Sequence, residues 1–151
     1  MEEEDKLENS CPNAAARCVA RRNLRCRADH FDWLIIACPL TPETRGLVDA
    51  GLIARLPRGA RIINVARGEI VAEQALIGAL RNGHLAGAYL DVFETEPLPP
   101  ESPLWDLPNV LITPHNSSAA AGNDERVLAI FLDNLVRWHR GEPLVNEIPK
   151  Q

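Results

Sequence analysis

Three residues with the chemistry to handle a small organic acid follow predicted strands. Arg67 comes directly after the apolar run Arg61–Val65, His115 follows Val110–Thr113, and Glu96 lies in the loop after a third apolar run. A guanidinium offers a rigid fork of donors that suits a carboxylate and its neighbouring carbonyl oxygen. A histidine exchanges protons near neutral pH, and a carboxylate bonded to its ring fixes the tautomer and favours the protonated form. Together these residues could hold an acid, carry a proton and orient the proton carrier.

Each of these residues also has a simpler interpretation, and position alone leaves both open. The position of Arg67 equally suits a surface arginine that pairs with a nearby acid. A lone histidine after a strand, such as His115, is often an ordinary loop residue. A loop glutamate such as Glu96 is usually only solvated. The choice therefore depends on whether the fold brings the three side chains together.

The pattern after Ala28 predicts strands that alternate with helices. The predicted strands are Phe31–Cys38, Arg61–Val65, Leu85–Val92 and Val110–Thr113. The predicted helices run from an Asp49 cap to Leu56, from Glu73 to Asn82, and from an Asn123 or Asp124 cap to Gly141 and Pro143. The run Phe31–Cys38 favours a strand buried on both faces. Alternation of this kind predicts a parallel sheet with its ligand site at the carboxyl ends of the strands.

Two further consequences follow from this arrangement. The residues expected at the carboxyl edge are Cys38, Pro39, Ala66, Arg67, Asp91 and His115. The last helix should pack through one apolar side, either in the core or in a subunit interface. The members of this side are Leu128, Phe131, Leu132, Leu135 and Trp138.

Several motifs, in order along the chain, resemble those of the D-2-hydroxyacid dehydrogenase family. They are Pro39–Thr44 (PLTPET), Asn64–Gly68 (NVARG), Gly87–Pro97 (GAYLDVFETEP), Leu107–His115 (LPNVLITPH) and Gly141–Asn146 (GEPLVN). The resemblance covers about Ala28 to Ile148. It implies an α/β fold: the C-terminal half of a Rossmann-like, doubly wound parallel sheet, with a long C-terminal helix. Residues 28–151 would form a partial NAD(P)-binding domain. Residues 1–27 show no sustained periodicity, and we expect a divergent extension there: an unrelated segment, a truncation scar or a disordered arm.

The resemblance also implies roles for individual residues. Arg67 would bind the substrate carboxylate, His115 would be the acid/base, and Glu96 would be its partner. The residues implied in binding NAD or NADP are Cys38, Pro39, Thr44, Val65, Ala66, Arg67, Asp91, His115 and Ser118. The substrate would be a small 2-keto or 2-hydroxy acid. The run His115–Ser117 and the C-terminal tail favour the relatives that reduce glyoxylate and hydroxypyruvate.

The sequence departs from this family in one important respect. It contains no G-x-G-x-x-G, the loop whose backbone N–H groups bind the pyrophosphate at a helix N-terminus. We therefore expect the chain by itself to bind cofactor weakly. A non-catalytic interaction module and an inactive truncated remnant remain alternatives. A smaller departure is Ala72, where many members of the family carry an aspartate that caps the next helix.

Composition excludes several other classes of protein. The formal net charge is −5, so a domain-wide cationic surface for nucleic acid is absent. No apolar run approaches the roughly 20 residues of a membrane span, and no apolar signal-peptide core follows the acidic N-terminus. The spacing of Cys11, Cys18, Cys26 and Cys38 does not suit a metal site. We expect a cytoplasmic protein without metal, and a homodimer is compatible with the resemblance.

Overall fold

The computed structural model describes residues 21–147, which divide into two units at His115/Asn116. The elements of the first unit are α1 (Arg21–Arg27), β1 (Trp33–Ile36), α2 (Ala50–Arg55), β2 (Arg61–Asn64), α3 (Glu73–Arg81), β3 (Gly87–Leu90) and β4 (Val110–Ile112). The second unit contains α4 (Asn123–Arg140). Within residues 21–147, no helix has the length and apolar character needed to cross a membrane.

The strands form a parallel sheet in the order β1-β2-β3-β4. The register places Ile36, Asn64, Leu90 and Ile112 side by side at the carboxyl end. Backbone hydrogen bonds continue this register by one residue, because Asp91 N–H donates to the Asn64 carbonyl and Thr113 N–H to the Leu90 carbonyl, each at 3.0 Å. The predicted parallel α/β fold is confirmed, and the residues that follow the strands lie at one edge.

The core lies on one face of the sheet. Leu34 and Ile36 of β1 are buried there together with apolar residues of α2 and α3, whereas Trp33 and Ile35 on the opposite face are 53% and 62% exposed. The prediction that Phe31–Cys38 is buried on both faces is therefore wrong for the residues described. A continuous apolar run identifies a strand, but it carries no information on how many faces another layer covers.

The two helices of the first unit that follow strands begin differently. Asp49 caps α2 as predicted, since its carboxylate accepts a hydrogen bond from Leu52 N–H at 2.8 Å. Ala72 precedes α3 and supplies no side-chain cap. Instead the carboxylate of Glu94, from the loop after β3, accepts from Glu73 N–H at 3.0 Å. This tertiary contact replaces a missing local cap.

The beginning of the described chain is more ordered than predicted. Arg21–Arg27 form a helix, and Leu24 and Ala28 are buried in the core cluster. The alternative of a disordered arm does not hold for residues 21–27, because apolar side chains here reach the core. Residues 1–20 lie outside the described part of the chain, and the domain boundary at residue 28 stays a prediction.

The second unit contains the predicted long helix, but its predicted N-cap and the predicted burial of its apolar side in the core are wrong. The alternative that this side lies in a subunit interface stays a prediction. Gly122, with φ of 72°, occupies the N-cap position, and neither Asn123 nor Asp124 caps the helix, since both lie inside it. Gly141 ends it in a left-handed conformation, as predicted. The five side chains expected on an inner side are all exposed: Leu128, Phe131, Leu132, Leu135 and Trp138. Within residues 116–147 there is no second helix or strand against which they could pack.

Candidate active site

Arg67 projects from a short turn after β2 that is organised by a buried side chain. Asn64 ends β2 and is 1% exposed. Its Oδ1 accepts from Ala66 N–H at 3.1 Å, and its Nδ2 donates to the Arg67 carbonyl at 2.9 Å. Arg67 itself is exposed, and its Nη1 donates to the Ala66 carbonyl at 2.6 Å. A backbone carbonyl holds the guanidinium, no carboxylate among residues 21–147 pairs with it, and it keeps donors for a ligand.

Gly68 joins the Arg67 turn to the loop after β3. The backbone of Phe93 and Glu94 passes so close to Gly68 that a Cβ added there would overlap the Phe93 carbonyl and the Glu94 nitrogen. Only glycine permits this approach. The turn that carries Arg67 and the loop that carries Glu96 are therefore packed backbone against backbone.

Glu96 and His115 form the central contact of the site. His115 Nδ1 lies 2.8 Å from Glu96 Oε2, and Glu96 Oε1 accepts from Phe93 N–H at 3.0 Å. His115 has φ of 54°, a left-handed conformation that a residue with a side chain seldom adopts. Such a conformation at a contact between two loops is typical of a functional site.

The pKa of Glu96 reflects these neighbours. Partial burial raises this pKa, but the hydrogen bonds from His115 and Phe93 N–H and the positive charges of His115 and Arg67 lower it by more. The net result is a pKa below the ordinary value. Glu96 is thus held as a carboxylate beside the imidazole, and the charge of Arg67 acts on the same group.

Asp91 is the buried acid of this edge. Its side chain is fully buried at the end of β3 and accepts a short hydrogen bond from the Thr113 hydroxyl. The Thr113 hydroxyl also lies 3.0 Å from that of Tyr89. These contacts tie the end of β3 to the residues that lead into His115.

The other residues predicted at the cofactor site follow β1 and β2. Cys38 and Val65 are half-buried, Pro39 is exposed and Ala66 is buried. Thr44 closes its own turn, because its hydroxyl donates to the Pro39 carbonyl at 2.8 Å and accepts from Thr41 N–H at 2.7 Å. Ser118 belongs to the second unit. The structure thus places the predicted residues other than Ser118 at or just beyond the carboxyl ends of the strands, while their roles stay predictions.

Sequence reasoning assigned no role to Asn64, Gly68 or Thr113, although all three occur in the quoted motifs. A signal for Asn64 was available, because a polar side chain that ends a buried apolar strand needs hydrogen-bond partners nearby. The close approach at Gly68 and the contact between Thr113 and Asp91 depend on segments more than twenty residues away. Local pattern cannot predict them.

Comparison with known proteins agrees with the motifs. The family model described as "D-isomer specific 2-hydroxyacid dehydrogenase, NAD binding domain" matches residues 5–117, which is most of the chain. The chain belongs to the D-isomer specific 2-hydroxyacid dehydrogenase family. The resemblance predicted from the motifs is confirmed, and the matched region of this 2-hydroxyacid dehydrogenase homologue begins upstream of residue 28.

Curated relatives of this dehydrogenase homologue are reductases of glyoxylate. The chain is 42% identical over 118 residues to glyoxylate/hydroxypyruvate reductase A of Klebsiella pneumoniae, covering 78% of this chain and 37% of that protein. It is 40% identical over 114 residues to glyoxylate reductase of Korarchaeum cryptofilum, covering 76% and 34%. The chain thus spans little more than a third of the length of these relatives.

Solved structures of proteins with similar sequences show the same fold. A D-isomer specific 2-hydroxyacid dehydrogenase from Xanthobacter autotrophicus, in complex with NADPH and MES, is 48% identical with a TM-score of 0.78, covering 85% of this chain and 52% of that one. The NADPH-dependent glyoxylate/hydroxypyruvate reductase from Sinorhizobium meliloti, in complex with NADP and sulfate, is 34% identical with a TM-score of 0.80, covering 93% and 46%.

Proposed function

We propose that this chain carries the substrate-handling half of an NAD(P)-dependent oxidoreductase that interconverts a small 2-keto acid and its 2-hydroxy acid. Glyoxylate and hydroxypyruvate are the proposed keto acids. The observation that carries the proposal is the 2.8 Å contact between His115 Nδ1 and Glu96 Oε2, at the edge of the sheet that also bears Arg67. Because Glu96 engages Nδ1, Nε2 is the ring nitrogen that can exchange a proton with a substrate.

The proposed chemistry assigns one task to each side chain. Arg67 binds the substrate carboxylate through paired N–H donors and polarises the adjacent carbonyl. In reduction, protonated His115 gives the proton on Nε2 to the keto oxygen and becomes neutral. Glu96 keeps the ring oriented and stabilises its charged form. A bound nicotinamide supplies the hydride that reduces the carbonyl carbon.

The residues present fit one part of such a cofactor. Cys38, Pro39, Val65 and Ala66 would line its cleft. Asp91, which the resemblance implies beside the nicotinamide carboxamide, is fully buried and accepts from the Thr113 hydroxyl, so it supports this edge from behind. The pyrophosphate is normally bound by a glycine loop at a helix N-terminus, and this sequence contains no such loop. The choice between NAD and NADP is made at the ribose 2′ position, to which we assign no residue, so both are proposed.

An assay of glyoxylate or hydroxypyruvate reduction tests the proposal, with NADH and NADPH supplied at millimolar concentration to offset weak binding. His115→Ala should lower kcat about 10²- to 10⁴-fold, the usual size of a general acid/base contribution. His30→Ala is the matched control, because His30 is exposed and precedes β1, on the amino side of the sheet. Equal rates for His115→Ala and the wild type would refute the assigned role of His115.

A second candidate function is a non-catalytic protein that retains the dehydrogenase scaffold. In that case the wild type would oxidise neither reduced cofactor, at any substrate concentration.

Three further properties stay predictions. The net charge of −5 is consistent with no nucleic-acid partner. A cytoplasmic location and a homodimer are proposed from the family alone.

A further inference from the structure

We propose that Asn64 is a positioning residue, which fixes the turn that presents Arg67 to the substrate carboxylate. The inference rests on the proposed function, which makes Arg67 the carboxylate-binding group. Asn64 itself is 1% exposed, so it reaches neither solvent nor substrate and acts only through Arg67.

The two hydrogen bonds of the Asn64 side-chain amide lie on either side of one peptide unit, the one that joins Ala66 to Arg67. Oδ1 holds the N–H of Ala66, and Nδ2 holds the carbonyl of Arg67. Between these two points lies the Ala66 carbonyl, the acceptor for Arg67 Nη1 at 2.6 Å. The backbone on both sides of that acceptor is therefore fixed by one side chain. The direction of the guanidinium depends on the orientation of this peptide unit.

Asn64 also couples the Arg67 turn to the neighbouring strand end. Its backbone carbonyl accepts from Asp91 N–H at 3.0 Å, and the next residues of the Asp91 loop lead to the Phe93 backbone that packs on Gly68. Apolar packing in this region is provided by neighbours such as Ile62 and Leu90. The amide group of Asn64 is thus used for orientation, and a residue of equal volume without the amide tests that use.

Two substitutions separate the two bonds. Asn64→Asp keeps the volume and the oxygen that accepts from Ala66 N–H, but it removes the N–H donor to the Arg67 carbonyl. Asn64→Ala removes both bonds. Asn82→Ala is the control, because Asn82 Oδ1 also accepts from a backbone N–H, that of His84 at 2.8 Å, in the turn after α3.

The first readout needs no ligand. In the ¹⁵N-labelled full chain, amide exchange at Ala66 reports the hydrogen bond to Asn64 Oδ1. The heteronuclear NOE of Arg67 Nε reports how firmly the guanidinium is held when the bond from Nδ2 is kept or lost. Asn64→Asp should leave Ala66 protected and lower the Arg67 NOE. Asn64→Ala should lower the NOE as well and speed Ala66 exchange at least tenfold. Asn82→Ala should change neither.

The second readout is kinetic. Asn64→Asp should raise the KM for glyoxylate about tenfold while kcat changes less, because His115 and Glu96 are untouched. An inactive wild type would reject the proposed function, whereas an unchanged Arg67 NOE in both Asn64 variants would reject the positioning role alone. Loss of the whole fold in both variants, with Asn82→Ala folded, would make Asn64 a purely structural residue and would also overturn the proposal.

Discussion

Among single residues, Glu96 is the member of the site whose pKa the contact with His115 lowers. Glu96 has a lowered pKa because His115 and Phe93 N–H donate to it and the charges of His115 and Arg67 lie nearby, against the effect of partial burial. A carboxylate whose pKa is lower in the folded than in the unfolded chain stabilises the fold above its unfolded value of about 4.3. That contribution disappears as the pH falls through the lower, folded value.

Replacement of His115 by Ala should raise the pKa of Glu96 towards its ordinary value, because the strongest stabilising partner of the carboxylate is removed. A ¹³C NMR titration of the Glu96 carboxyl measures this directly. The same variant should lose less stability than the wild type as the pH falls below about 4.3. Replacement of His84, which bonds to the Ile53 carbonyl, should leave Glu96 unchanged. Identical Glu96 titration curves in wild type and His115→Ala would show that the pair does not form in solution.

At the scale of elements, the site depends on the close packing of the loops that follow β2 and β3. Gly68 lies against the Phe93–Glu94 backbone, and Glu94 in turn accepts a hydrogen bond at the N-terminus of α3. Desolvation and the nearby charge of Glu94 raise the pKa of Glu73, although the hydrogen bond from Glu94 N–H opposes the shift. The loop that bears Glu96 is thus fixed by Gly68 and by the N-terminus of α3, and these contacts hold Glu96 beside His115.

Gly68→Ala should destabilise the protein by about 1–3 kcal/mol, the usual cost of forcing an extra carbon into a packed site. Gly78→Ala is the matched control, since Gly78 lies in α3 with no atom within 4 Å of an added Cβ. That substitution should stabilise the protein by about 0.5–1 kcal/mol, because alanine favours a helix interior. Urea denaturation measures both changes. Equal stabilities for the two variants would contradict the close approach at Gly68.

The sequence predicted the local features of these elements well. The cap at Asp49, the extent of α3 and the end of α4 at Gly141 follow from residue type and spacing within a few positions. The pairing of Glu96 with His115 came from the family resemblance. Strand order alone places both residues after parallel strands, at one edge, but leaves their contact open. The predictions that β1 is buried on both faces and that the apolar side of α4 packs in the core were wrong. An apolar pattern does not reveal which element, if any, packs against it. The capping of α3 by Glu94 joins segments 21 residues apart and has no local signature.

At the scale of the whole molecule, the chain corresponds to part of its relatives. It covers 37% of the Klebsiella reductase and 52% of the Xanthobacter structure. Within the first unit as described, Trp33, Ile35 and Leu111 are exposed on one face of the sheet. Arg67, Glu96 and His115, to which we assign substrate handling as a proposal, are present in this part, whereas the G-x-G-x-x-G motif is not in the sequence.

Because the 151-residue chain contains no glycine loop for the pyrophosphate, we predict that it binds the cofactor weakly. Without backbone N–H groups directed at the pyrophosphate, NADH and NADPH should bind with a Kd of about 1 mM or weaker. Fluorescence titration of each reduced cofactor measures the affinity. Micromolar binding of either would mean that other residues of the chain replace the glycine loop.

The proposed function requires that Arg67, His115 and Glu96 together form a site for a 2-keto acid. An NMR titration of the isotope-labelled chain with oxalate tests it most directly. Oxalate has two adjacent carboxylates, so one can take the place of the substrate carboxylate and the other that of the neighbouring carbonyl. We expect saturable shifts of the Arg67 Nε, His115 ring and Glu96 carboxyl signals, and Arg67→Ala should abolish the last two. Arg58→Ala is the control, because Arg58 is an exposed arginine between α2 and β2, on the amino side of the sheet, and it should leave the shifts intact. Shifts that are absent in the wild type, or that persist in Arg67→Ala, would contradict it.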